Sequence, residues 1–198
     1  IHAAFATARR LASEGRVLVH PFDDPAVMCG QGTLGLELLD DCPDMTHAFI
    51  SIGGGGLIAG MATAIRAVKP DVRVFGVETV GADAMAQAVS AGRIVELPKI
   101  TSIARTLGAP AVSMSTLTVV QRLVEEVVVV PDASAFAALV DLLERTKIVT
   151  EPAAACALAA ARARASQFRP DDHVVILLCG GNVSLADIAR WHAEFATT

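Results

Sequence analysis

Short aliphatic runs alternate along the chain with longer segments whose apolar residues recur every three or four positions. In 1–12 (IHAAFATARRLA), Phe5, Ala8, Leu11 and Ala12 fall near helical spacing. Gly15 ends that segment, 16–20 (RVLVH) reads as a short strand, and 21–25 (PFDDP) reads as a turn. A helix is predicted over 32–39, a strand over 47–52, a glycine run at 53–56 and a helix over 57–68 that stops at Lys69-Pro70-Asp71. A strand over 72–77 and a helix over 82–91, closed by Gly92, follow. The stretch 93–113 is irregular, punctuated by Pro98, Gly108 and Pro110. Then come a helix over 115–123, a strand over 126–130 and a helix reaching Thr146, with Asp132 or Ser134 as its cap. A helix follows Glu151-Pro152, where proline is tolerated in the first turn. A strand over 174–178 and a last helix after Asn182 or Ser184 complete the pattern.

The runs VVILL (174–178) and EVVVV (126–130) are apolar on both faces. Such strands are covered on both sides by helices. Alternation with helices then predicts an α/β chain built on a doubly wound, mostly parallel sheet. The alanine-rich 153–165 is a strong helix former, and no internal repeat or low-complexity tract interrupts the series.

Composition narrows the function. The 198 residues suit one large domain or two small ones, and 53% hydrophobic against 19% charged excludes disorder, coiled coil and collagen. Sixteen basic against twenty-one acidic residues, a net charge of −5, argue against a general nucleic-acid-binding surface. Cys29, Cys42, Cys156 and Cys179 form no C-x-x-C pair, so neither a disulfide framework nor a zinc site is expected, and a reducing cytoplasm fits their use. No apolar run reaches the roughly 18 residues of a membrane span, and no signal-peptide pattern opens the chain. The chain starts at Ile1 in a helix without a cap, so sequence upstream is expected.

Two predicted strand ends carry glycines, and ligands of open parallel sheets bind beyond the carboxyl ends of strands. At the first, Gly53-Gly54-Gly55-Gly56-Leu57 leads into a helix. Successive amides and a helix N-terminus make a phosphate the natural occupant. The segment Gly54–Ala59 also satisfies G-x-G-x-x-A, with Glu78 ending the next strand, so dinucleotide binding competes. A Walker A loop is excluded, since no Gly-Lys-Ser/Thr follows. At the second, Cys179-Gly180-Gly181-Asn182 lets a planar ring approach the backbone, with Cys179 either facing that ring or acting as a small apolar filler.

Taken in order, these segments resemble the pyridoxal-phosphate enzymes of the tryptophan-synthase-β fold, fold type II, in the threonine/serine dehydratase and serine racemase branch. The resemblance rests on His20–Pro25, Gly30–Glu37, Gly53–Gly60, Gly76-Val77-Glu78, Glu144–Lys147, Glu151–Ala155 and Cys179–Asn182. It implies that amides of Gly53, Gly54, Gly55, Gly56 and Leu57 hold the phosphate of pyridoxal 5′-phosphate. Cys179 and Gly180 would stand by the ring, Cys179 at the pyridine nitrogen. Glu151 matches an acidic position near the ring, its other reading being an acid favoured by a helix N-terminus. Thr106 aligns with a cofactor-side glycine, because Arg105-Thr106 replaces the family's Asp-Gly. Some relatives bind a cation through a position equivalent to Glu78 and a carbonyl like that of Ala82; Ala84 replaces the third ligand, and no metal is assigned.

The resemblance places 1–15 at the end of a small domain and 16–198 in the large cofactor-binding domain. It implies a homodimer acting on a small amino acid, without nucleic-acid or membrane partners. The Schiff-base lysine is expected upstream, since Lys69, Lys99 and Lys147 sit at no glycine-bearing strand end. His20, Gln31 and Thr33 read as structural, the last two at a helix start. Asp23 and Asp24 read as turn residues, and His173 and His192 as surface or half-buried positions. The expected reaction is dehydration and deamination of L-threonine or L-serine. Racemisation, threonine-synthase-like chemistry, a non-catalytic phosphate-binding module and a nicotinamide oxidoreductase are the alternatives.

Overall fold

The two central strands, 47–51 and 73–79, bury side chains on both faces, which is why these segments lack a polar side. The computed structural model describes residues 2–195. Strands β1 (His47–Ser51), β2 (Arg73–Thr79), β3 (Glu126–Val130) and β4 (Val174–Ile176) form one parallel sheet in the order β3-β2-β1-β4. Successive residues point to opposite faces. Ala48, Ile50, Ile52 and Val74 enter the core on one side, and Phe49, Phe75, Val77 and Val128 enter it on the other. Phe49 and Phe75 stack with their ring centroids 4.7 Å apart.

Helices α3 (Gly56–Val68), α4 (Ala84–Ala91) and α5 (Met114–Leu123) cover the first face, with α2 (Pro25–Asp41) packed outside α3. Helices α6 (Asp132–Asp141), α7 (Pro152–Ala163) and α8 (Leu185–Phe195) lie on the second, and α1 (His2–Ser13) precedes α2. The α7 alanines are small enough to bring that helix flat against β1, β2 and β3. No helix among the described residues is long and apolar enough to cross a membrane.

The expected α/β architecture with helices on both faces is therefore present, with local corrections. Residues 16–20 pair with no strand among the described residues. Val17 is 90% exposed, and the segment is an extended connector. Helix α2 starts seven residues before 32, because Asp24 accepts a hydrogen bond from the Ala26 amide (2.8 Å) and Pro25 fills the first turn. Gln31 and Thr33 thus sit inside α2, not at its start. Neither Asp132 nor Ser134 caps α6; Pro131 precedes it. The Asp132 carboxylate instead accepts from Ser102 Oγ (2.6 Å) and the Ile103 amide (3.0 Å), tying down the irregular segment. α6 continues through a wide π turn at Leu142–Thr146. β4 ends at Ile176, although the Leu177 amide still donates to the Phe49 carbonyl (3.1 Å).

The α2–α3 contact depends on glycine. A Cβ at Gly60 would stand 2.1 Å from the Met28 carbonyl oxygen and 2.8 Å from the Gly32 nitrogen. Gly30, on the outer side of α2, has open space. Gly60→Ala is expected to destabilise the protein by about 2–3 kcal/mol through overpacking. Gly30→Ala should stabilise it by about 0.5–1 kcal/mol through the lost entropy of the unfolded glycine. Denaturant unfolding of the two variants checks this opposition in sign.

Glu78, at the end of β2, is fully buried. Its oxygens accept from the Met85 (2.9 Å) and Ala86 (2.8 Å) amides at the start of α4. Burial outweighs those bonds and pushes its pKa up to about 8. Folding thus raises this carboxyl above its ordinary 4.5, so its stabilising contribution is full below that value and is lost as pH rises through about 8. Stability should fall between pH 5.5 and 8.5 by up to about 1.4 kcal/mol per unit, and Glu78→Gln should flatten that slope in denaturant titrations at the two pH values.

Candidate functional site

From β1 the chain steps to β2 and β3 in one direction, while β4 pairs on the other side of β1. The connections after β1 and β4 therefore diverge from adjacent strand ends and leave a crevice between them. A cavity of about 790 Å³ lies there, lined by Gly53–Leu57 after β1, Leu177–Cys179 after β4, Arg105–Ala109, Glu151, Phe5 and Phe22.

The first wall is the glycine run. The amides of Gly54, Gly55, Gly56 and Leu57 donate no hydrogen bond within the described residues. They sit at the N-terminus of α3, where the helix dipole is positive. Gly55 has φ 93°, a left-handed conformation that favours glycine. Packing demands glycine as well. A Cβ at Gly54 would lie 2.1 Å from the Phe22 ring, and one at Gly55 would lie 2.8 Å from both Met85 and Thr116. Fully buried Thr116 donates from Oγ1 to the Gly54 carbonyl (2.9 Å) and so orients the loop. Phe22 and Thr116 escape the sequence reading of the site. The only local sign of Thr116 is its partnership with Ser113 in the α5 capping box.

The opposite wall brings Thr106, Glu151, Cys179 and Gly180 together. Glu151 precedes α7, yet its carboxylate makes no capping bond to that helix. Oε2 accepts from Thr106 Oγ1 (2.8 Å), and Oε1 lies only 2.0 Å from where a Gly180 Cβ would stand. The Glu151 amide donates to the Gly180 carbonyl (3.1 Å). Glycine at 180 is thus a condition of the carboxylate's position. Cys179 lines the cavity, and desolvation by the protein packed around its thiol raises its pKa, with the nearby Glu151 carboxylate adding to the rise. Cys156, behind it against Ser51 (Sγ···Oγ 3.5 Å), is pushed up to about 12 by burial. Both thiols are therefore neutral at pH 7.

Other residues singled out from the sequence lie elsewhere. His20 Nδ1 accepts from the Phe22 (3.4 Å) and Asp23 (2.8 Å) amides, a structural duty. Asp24 caps α2. Glu78 is sealed under α4 and does not line the cavity. Lys69 donates to the Pro43 carbonyl and Lys147 to the Glu144 carbonyl; with Lys99, they stand outside the cavity lining.

The model of the pyridoxal-phosphate dependent enzyme family matches residues 1–180. The L-threonine ammonia-lyase of Geobacter sulfurreducens is 43% identical over 190 residues, covering 94% of this chain and 46% of its own length. The serine racemase of Oryza sativa subsp. indica is 37% identical over 190 residues, covering 93% and 56%. The structure of the processed form of threonine deaminase isoform 2 from Solanum lycopersicum superposes with a TM-score of 0.88 at 30% identity, over 94% of this chain and 51% of that one. The chain spans about half the length of the curated relatives it matches.

The unpartnered amides, the helix N-terminus behind them and the neutral Cys179 thiol fit a phosphate-bearing pyridine. The nicotinamide reading of Gly54–Ala59 and Glu78 is overturned by the family match. Sequence similarity and shared architecture agree over nearly the whole length, and the chain belongs to the pyridoxal-phosphate dependent enzyme family, on its type II fold.

Proposed function

We propose that this chain is the cofactor-holding part of an ammonia-lyase that converts L-threonine or L-serine to a 2-oxo acid and ammonia. The observation that carries the reading is the row of free amides at Gly54–Leu57, set across one cavity from Cys179. With Gly53, those amides take the phosphate. Cys179 stands at the pyridine nitrogen, and Thr106, Glu151 and Gly180 form the edge beside the ring. Residues 16–198 belong to the large domain and 1–15 to the end of the small one.

Bound there, pyridoxal phosphate supplies the electron sink that acidifies the substrate's α-carbon. The residues of this chain tune that sink. A neutral thiol at Cys179 would carry no charge to hold a proton on the pyridine nitrogen, which would temper the sink and suit loss of the β-hydroxyl more than transamination. The carboxylate of Glu151, steadied by Thr106, fixes a negative charge at the ring edge. A lysine must accept the α-proton. Because no lysine of this chain lines the cavity, we assign that role to a residue outside these 198. The enamine product then takes up water and releases ammonia. Similarity to rice serine racemase favours racemisation as the second reading.

The intact protein that contains this chain should show a visible absorption band abolished by borohydride, and should form 2-oxo acid from L-threonine or L-serine. Absence of the band overturns cofactor binding. A band with D-serine as the only product selects racemisation. Thr106→Val should lower kcat about tenfold and shift the visible band, the cost of one charge-assisted hydrogen bond being about 1–3 kcal/mol. Thr106→Ser, which keeps the hydroxyl, should restore both.

A further inference from the structure

Arg105 opens a single 3₁₀ turn, Arg105–Leu107, at the rim of the cavity. The backbone beneath it is held from both sides. Upstream, Ser102 and Ile103 are bound to the Asp132 carboxylate (2.6 and 3.0 Å). Downstream, the Leu107 amide donates to the Ala104 carbonyl and the Gly108 amide to the Arg105 carbonyl, both at 3.0 Å. The side chain is nevertheless exposed, and among the described residues its guanidinium has neither a hydrogen-bond nor an ion-pair partner. Arg9, Arg16 and Arg122 likewise have no partner among the described residues, but they do not line the cavity.

Two carboxylates lie near Arg105, and among the described residues neither is ion-paired with it. Glu151, the other charged residue on the cavity lining, is engaged by Thr106. A smaller cavity of about 220 Å³ on the other side of Arg105 contains Asp187, which is paired with Ser184 and Arg190. The amides of Gly54–Leu57 meet the one phosphate that the proposed cofactor brings. Carried on a held backbone turn and lining the cavity, this unpaired guanidinium has a planar fork that suits a carboxylate.

We propose that Arg105 selects a β-hydroxy amino acid carrying a second carboxylate, the 3-hydroxyaspartate class, by pairing with the carboxylate on Cβ. This deepens the elimination reading above and rests on it. The α-proton and the β-hydroxyl leave as water. The enamine becomes an imine, adds water and releases ammonia, leaving a four-carbon 2-oxo dicarboxylate without oxidant or reductant.

The test uses the intact holoprotein and its Arg105→Gln and Arg105→Lys variants, each with an unchanged visible band as the check on folding. Turnover of L-3-hydroxyaspartate, L-threonine and L-serine is compared, and calorimetry measures binding of the unreactive L-malate and L-lactate. The ratio of kcat/KM for 3-hydroxyaspartate over threonine should fall at least tenfold in Arg105→Gln and less in Arg105→Lys. Malate affinity should fall with it while lactate affinity holds. An unchanged ratio overturns the proposal, as does an equal loss for all three amino acids, which would assign Arg105 to the α-carboxylate. A holoprotein that turns over none of them overturns the elimination reading instead, and selective loss of malate binding in Arg105→Gln then still upholds a dicarboxylate site.

Discussion

The site depends on one constraint of the sheet: β1 is parallel to both neighbours, and the chain leaves it for β2 on one side while β4 lies on the other. Parallel strands need crossovers that pass over a sheet face. Where consecutive crossovers take opposite directions, their entry loops splay and cannot fill the space between the strand ends. The glycine run after β1 and the Cys179 loop after β4 are the two sides of that gap. Remove the β1–β4 pairing, and the glycine loop loses the wall that faces it.

Within the gap, glycine answers two demands at once. Close packing of Phe22, Met85 and Thr116 against the loop leaves no room for a Cβ at Gly54 or Gly55. The same packing holds the loop with its amides unpaired. Unpaired amides at a helix N-terminus, open to a cavity, are suited to an anion. Thr116, by fixing the Gly54 carbonyl, keeps the loop from relaxing into an internally bonded turn.

Two glutamates show how environment divides one residue type between structure and chemistry. Glu78 is sealed beneath α4, where burial raises its pKa and its oxygens anchor the helix start. Glu151 stands beside a helix start without capping it and faces the cavity, held by Thr106 and given room by Gly180. The Thr106 hydroxyl is the direct hold on that carboxylate. The same three-residue turn carries Arg105 beside Thr106 on the cavity lining.

Local order was legible from the residues alone. Two-sided apolar runs marked the strands, and helical periodicity marked most helices, because both patterns arise from burial within a few residues of chain. The glycine runs marked the two loops that wall the cavity, and the ordered motifs indicated the family. Periodicity misled where partners are distant. RVLVH has a strand's composition but pairs with no strand among the described residues, and α2 begins seven residues before the predicted start, at the Asp24 cap. Tertiary structure alone decided that Glu78 is buried away from the cavity, that Glu151 bonds to Thr106 rather than to its own helix, and that Phe22 and Thr116 shape the cradle. These depend on which segments meet in space, and residues 45 or 62 positions apart leave no periodic trace of their contact along the chain.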